Sequence, residues 1–273
     1  KSGNTLETIT NASALIKNKD NNIIITEDKN NYLKDLAIKL KAEVFEHKNY
    51  VGGRYSVLSE VGMLPAELMK LNENRFKQFN NLIVNKIFIK NLVNNVAATL
   101  NFIKTGKSNS IILNYDEQSE SLFKWYQQLI AESLGKKSKG ILPVISSMPK
   151  DNHSLMQLYL DGPKNAFYTF FNVLDNNDIK VNNKNILNSK KFLKNKSVEQ
   201  IKQSQMLATE KIFRIKKIPF RSFKILKRNE KTIGELFCFF ILETILLGRA
   251  LDVNPFDQPS VELIKKETKK ILI

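Results

Sequence analysis

One cysteine stands among 273 residues. Cys238 has no possible partner within the chain, which excludes an internal disulfide framework and predicts a reducing, cytoplasmic setting. It lies in an apolar helix-like run and reads as a small buried hydrophobe. Two histidines, His47 and His153, and that one cysteine leave too few soft ligands for a dedicated zinc cage, so chemistry without metal or organic cofactor is expected. Long hydrophobic runs are missing too. The longest, Leu236 to Leu247, is too short to cross a bilayer and carries Glu243, so it predicts a buried helix and no membrane partner. No apolar signal-peptide core opens the chain. Nucleotide-binding loops are imitated but not made. Asn101-Phe-Ile-Lys-Thr-Gly-Lys-Ser108 has asparagine where a P-loop needs glycine, and Gly135-Lys-Lys-Ser-Lys-Gly140 continues with Ile141 where lysine is needed.

What is present is basic. Lysine and arginine number 43 against 27 acidic residues, a formal charge of +16. A charge of this size raises nucleic-acid binding as one reading. The lysines are spread along the chain, however, and no homeodomain, zinc-finger, RRM or KH pattern occurs, so a solvated Lys/Asn-rich surface and no nucleic-acid partner are expected. Such a surface would also steer an anionic substrate toward a cleft.

Strand-like and helix-like segments alternate. Short apolar runs at Ile23–Ile25, Val44–Phe45, Ile111–Leu113 and Leu142–Ile145 predict strands, and strands are also read at Phe167–Leu174 and Phe220–Leu226. Between them, Leu33, Leu36, Ala37 and Leu40 repeat at helical spacing, as do Ile89, Leu92, Val93, Val96, Leu100 and Ile103, and then Leu122, Trp125, Tyr126, Leu129 and Ile130. Further helices are predicted from about Ser154, over Val198–Phe213, over Thr232–Arg249 and in the tail from Val261 to Ile271, with a polar surface excursion over Asp175–Lys196. This order predicts an α/β protein, a mainly parallel sheet with helices on both faces. The pattern divides near residue 72, and its first part is too short for a complete α/β domain.

Four segments and a terminal turn carry candidate chemistry. In Val51-Gly-Gly-Arg54, paired glycines allow backbone to approach a ligand and an arginine stands beside them, an arrangement suited to an anion. Lys1-Ser-Gly-Asn-Thr5 precedes a helix-opening Leu6-Glu7-Thr8; hydroxyls and open N–H groups there form a phosphate cradle, although such clusters also serve simply as helix caps. Ala131-Glu-Ser-Leu-Gly135 puts a carboxylate at a helix C-terminus, where the dipole disfavours its charged form; a solvated terminal glutamate is the plain alternative. Asp151-Asn-His-Ser-Leu-Met-Gln157 holds one of the histidines, and Asn254-Pro-Phe-Asp-Gln-Pro-Ser-Val-Glu262 forms a rigid turn into the tail helix.

Together these segments resemble the phosphoglucose isomerase family, in the family's order and over essentially the whole chain. The resemblance implies sugar-isomerase (SIS) subdomains: 1–72 as the C-terminal part of a first one, 73–253 as a complete second one, and 254–273 as a helical arm. It implies interconversion of an aldose phosphate and a ketose phosphate, glucose 6-phosphate and fructose 6-phosphate. Glu132 matches the family's proton-transferring base, for which a pKa raised by burial would be apt, and Gln128 matches a sugar-contacting glutamine. Arg54, with Gly53 beside it, matches the group over the reacting carbons; His153 and Lys265 match the residues that assist ring opening; Lys1, Ser2 and Thr5 match the phosphate loop. By the same resemblance the active unit is a homodimer in which His153 serves the partner's site. Departures are Asn152 for a commoner Gln or Leu, Ser260 for glycine and Ile264 for glycine. The absence of an initial methionine, and a start within the phosphate loop, predict upstream residues, and a 1–273 piece that folds poorly or is inactive alone. The competing reading is a non-catalytic sugar-phosphate-binding SIS module, which would need the phosphate loop but not Glu132, His153 and Lys265 together.

Overall fold

A computed structural model describes residues 5–16, 22–174 and 179–273. Along the chain run α1 (Leu6–Leu15), β1 (Ile23–Thr26), α2 (Tyr32–Leu40), β2 (Glu43–Glu46), a 3-10 helix over Gly53–Leu58, α3 (Glu60–Leu68), α4 (Glu73–Phe76) and α5 (Phe79–Ile83). Then follow α6 (Lys86–Lys104), β3 (Asn109–Asn114), α7 (Glu120–Leu134), β4 (Leu142–Ser147), α8 (Met156–Asp161) and β5 (Ala166–Val173). The chain closes with α9 (Val198–Ile215), β6 (Phe220–Ile225), α10 (Glu230–Ala250) and α11 (Pro259–Leu272). The expected strands all form. Apart from α3, the helices between residues 53 and 83 are four to six residues long, too short to show a period.

Asparagine, so common in this chain, opens many of the helices. Asn31, Asn72, Asn85 and Asn229 each accept a hydrogen bond from a backbone N–H of the first turn, a group that would otherwise lack a partner. Ser197 begins α9 with a reciprocal capping box to Gln200.

Both sheets are parallel. β1 pairs with β2 in register Ile23↔Glu43 to Thr26↔Glu46. The second sheet has the order β4-β3-β5-β6. Its side chains alternate between two cores. Ile112, Phe167 and Phe171 face Leu92 of α6, Phe123 and Tyr126 of α7, and Phe240 of α10. Ile111, Leu113, Tyr168 and Phe170 face Met206 and Phe213 of α9 and Tyr159 of α8. This is the three-layer α/β/α arrangement that the alternation predicted. One detail differs: Val93, placed on the apolar face of α6 by its spacing, is 51% exposed.

Parallel pairing decides where the ends lie. α7 links parallel neighbours β3 and β4, so it returns from the carboxyl edge of the sheet to the amino edge. α10 follows β6 back in the same sense. The C-terminal ends of α7 and α10 therefore meet at the amino edge of the second sheet, where the Gly-Gly-Arg loop arrives from the carboxyl end of β2.

Candidate active site

Arg54 organises this junction. It is 3% exposed, and its guanidinium reaches five residues in two segments, the end of α7 and the turn over 255–258. Nε donates to Ser133 Oγ at 2.7 Å, Nη1 to Gln258 Oε1 at 2.8 Å, and Nη2 to the carbonyls of Pro255 at 2.6 Å and Asp257 at 3.0 Å. Nη1 also stands 3.3 Å from Glu132 Oε1. A guanidinium has five N–H groups in a fixed fork. Four hydrogen bonds and this ion pair leave no idle direction, so Arg54 can meet an added ligand oxygen only by releasing Gln258 or Glu132.

The loop behind Arg54 is fixed from both sides. His47, 1% exposed, has Nε2 3.0 Å from the Val51 carbonyl, and Trp125 donates its indole N–H to the Arg54 carbonyl at 2.9 Å. The glycines are not required by strain, as neither has a positive φ. A Cβ added to Gly53 would meet nothing within 4 Å, so the space in front of this residue is open to a ligand.

Glu132 lies in the last turn of α7, and Gln128, one turn earlier, donates to its Oε2 at 3.1 Å. The Glu132 side chain is 22% exposed and faces Arg54, which offsets the unfavourable end of the helix dipole. Beside it Ser133 is fully buried, contacting Tyr55 OH at 3.0 Å, and that phenol donates to the Pro255 carbonyl at 3.1 Å. Burial pushes the Tyr55 phenol up, which keeps it a donor, though Ser133 and Arg54 oppose the shift. The approach of Pro255 depends on Gly248 of α10: a Cβ there would stand 2.9 Å from the Pro255 Cβ.

The remaining candidates fall elsewhere. Lys1 and Ser2 lie outside the described residues. Thr5 precedes α1 without a side-chain capping bond. It lines a groove of about 900 Å³ between α1 and α11 together with Lys265, Ile264 and Lys269. Gln258 bridges the two regions, since it contacts Arg54 and is the residue from which α11 springs. Lys265 stands seven positions later, about 10 Å along the axis. His153 is exposed and follows β4, at the carboxyl edge of the second sheet. β4 has six residues, about 20 Å, so His153 and Glu132 sit at opposite edges of their own sheet. Asp151 organises the His153 turn, accepting from Ser146 Oγ, the Ser147 amide and Ser154 Oγ at 2.8, 2.8 and 2.9 Å.

Ser133, Tyr55 and Gln258 are site residues that sequence reasoning misses. Each lies inside or beside a quoted motif, but only the fold aims it at Arg54. Among the described residues no cluster of three or more metal-binding side chains occurs, and no helix is long and apolar enough to cross a membrane.

The phosphoglucose isomerase family model matches residues 1–273. A probable glucose-6-phosphate isomerase of Methanococcus maripaludis is 32% identical over 97% of this chain and 63% of its own length. The glucose-6-phosphate isomerase of Methanocaldococcus jannaschii is 33% identical over 97% of this chain and 68% of its own. A hypothetical protein from Thermus thermophilus superposes with a TM-score of 0.88 at 24% identity, covering 100% of this chain and 70% of that one. A glucose-6-phosphate isomerase from Chlamydia trachomatis has the same fold, with a TM-score of 0.77 at 18% identity, covering 100% of this chain and 58% of that one. The chain thus spans roughly two thirds of the length of the sequence relatives described. Motif order, the junction at Arg54 and a match over every residue lead to one assignment: this chain belongs to the phosphoglucose isomerase family.

Proposed function

We propose that this chain forms the greater part of an aldose–ketose isomerase that interconverts glucose 6-phosphate and fructose 6-phosphate. The observation carrying the proposal is the Arg54–Glu132 ion pair. It joins the Gly-Gly-Arg loop to the Glu-Ser-Leu-Gly helix end, and the same guanidinium holds the Asn-Pro-Phe-Asp-Gln turn. The names of the relatives support the same reading.

In the proposed reaction, Glu132 removes the proton from C2 of the open-chain aldose and returns it to C1 through a cis-enediol; the reverse direction exchanges the carbons. Negative charge develops on an oxygen beside Arg54. Freed from Gln258 or Glu132, a guanidinium N–H can hold that oxygen, and a well-placed donor of this kind contributes on the order of 3–4 kcal/mol. Thr5, with Lys1 and Ser2, takes the phosphate, and Lys265 in the same groove as Thr5 approaches the sugar. Gln128 orients the base and Gly53 leaves room for the substrate. The scheme calls on no metal or organic cofactor. His153, at the far edge of its own sheet, supplies its imidazole to the site of a second copy, so the working unit is a homodimer. Residues 1–72 then form the end of one SIS subdomain, 73–253 a second, and 254–273 the arm that brings Lys265 to the site.

Glu132→Gln in the full-length protein tests the reading. The amide keeps shape and loses basicity. Turnover of fructose 6-phosphate without added metal is expected to fall at least about a hundredfold while sugar-phosphate binding persists. A parent that binds sugar phosphate without turnover would establish the non-catalytic module instead.

A further inference from the structure

We propose that Lys136 is a positioning residue for this site, acting as a clamp that sets Arg54, Gln258 and the root of α11 in place. The inference rests on the isomerase reading for its kinetic consequence and on the fold alone for its structural one.

Past the end of α10 the chain makes a turn, Leu251 to Gln258, whose backbone supplies two of the oxygens that hold Arg54. Lysines from the Gly135–Gly140 loop reach across to it. Lys136 Nζ donates to the Asn254 carbonyl and stands 2.7 Å from Asp257 Oδ1; its side chain is only 11% exposed. Lys139 Nζ donates to the Leu251 carbonyl at 2.7 Å. The Leu251 carbonyl is at the C-cap of α10, the negative end of its dipole, where an ammonium is favoured. The constraint passes on through consecutive groups. Asp257 has its carboxylate on Lys136 and on Asn254 Nδ2, while its carbonyl accepts from Arg54 Nη2 at 3.0 Å. Gln258, the next residue, accepts from Arg54 Nη1 at 2.8 Å and begins the helix that carries Lys265. One ammonium is therefore two links from the guanidinium and from the root of the arm.

The loop that aims Lys136 is itself strained. Lys136 and Lys139 exchange backbone hydrogen bonds at 3.1 and 2.9 Å around a two-residue turn. Both central residues, Lys137 and Ser138, have positive φ, 51° and 57°. A turn of this kind favours Asn-Gly, and side-chain-bearing residues there are disfavoured. The contacts made by the flanking lysines hold the turn in this form. Lys137, 67% exposed, reaches only Asp252, donating to its carbonyl at 3.2 Å and lying 3.8 Å from its carboxylate, and so touches no residue that contacts Arg54.

The test uses the full-length protein with Lys136→Met, Lys136→Arg and Lys137→Met. Lys136→Met keeps the stem and removes the ammonium. Its kcat for fructose 6-phosphate is expected to fall about tenfold to a hundredfold, the range for an ångström-scale misplacement of catalytic groups, with KM changed by less than about threefold. Amide hydrogen exchange over residues 252–260 should accelerate. Lys136→Arg should recover most of kcat, and Lys137→Met should behave as the parent. A Lys136→Met kcat within about twofold of the parent, or an unchanged exchange rate over 252–260, overturns the proposal. So does an equal loss in Lys137→Met, which would mean general loosening. If the parent shows no turnover, the isomerase reading falls, and the exchange rates alone still decide whether Lys136 holds the turn.

Discussion

Replacing Glu243 with glutamine should destabilise the fold far more than one lost contact would. Glu243 is 1% exposed on α10 and pairs with Arg221 of β6. Arg221 also donates to Asn95 Oδ1 at 2.8 Å and Thr169 Oγ1 at 3.0 Å, and the Tyr126 hydroxyl donates to Glu243 Oε2 at 3.2 Å. One polar knot thus ties α6, α7, α10 and two strands together inside the aromatic core. Glutamine keeps the shape but strands a guanidinium in a dry setting. Breaking a buried pair from one side costs about 3–5 kcal/mol, and the lower end applies because Arg221 remains 20% exposed. Arg221→Met strands the carboxylate and should cost a similar amount. If the two effects were independent, the double variant would lose roughly 6 kcal/mol. It should lose much less, because neither charge is left alone. Urea denaturation of the full-length protein reads this as midpoint shifts at constant slope. Single variants that each cost under about 1 kcal/mol, or a double variant equal to their sum, would refute the reasoning.

Three other outcomes are expected. Cys238, fully buried with its thiol pushed up to about 11 by burial, should resist alkylation at pH 8 until the protein unfolds; rapid native labelling would contradict that burial. Gly248→Ala should cost about 1–3 kcal/mol by thermal melting and lower kcat, since its Cβ would displace Pro255 and with it a carbonyl that holds Arg54; an unchanged kcat would show that Pro255 need not be fixed. Asp257 is held below its ordinary value of 3.8, chiefly by the hydrogen bond from Lys136. Its contribution is therefore full above that value and fades as pH falls through the lower native one. Melting curves between about pH 6 and pH 3 should fall more steeply for the parent than for Asp257→Asn, and parallel curves would count against the ion pair.

The sequence discloses the architecture because burial leaves a period. Ile111 to Leu113 is a continuous apolar run and Phe167 to Leu174 one broken only by Thr169 and Asn172, as expected of strands covered on both faces, and the helices of the second sheet repeat Leu, Tyr and Phe at helical spacing. Between residues 53 and 83 the helices other than α3 are illegible for the opposite reason: with four to six residues each they are too short to repeat. Val93 misleads because spacing marks the width of an apolar stripe but not how far neighbouring elements cover its margin.

The candidate site divides along a similar line. Arg54, Glu132 and Gln128 lie in compact motifs, and the fold brings them together. What no spacing rule reveals is the partner set of a buried cation. Two of the oxygens that hold Arg54 belong to the backbone, at Pro255 and Asp257, and a carbonyl carries no residue identity. A third, Ser133, is visible as a letter in its motif but not as an acceptor. The Lys136 clamp is hidden even more deeply, because its loop resembles a failed phosphate loop and its targets, a carbonyl and a carboxylate, lie more than a hundred positions away. Sites built on backbone acceptors therefore tolerate sequence change at the acceptor while depending on where the turn is held. For this chain, substitutions that move the 251–258 turn should affect turnover more than side-chain changes within the turn that leave its path intact.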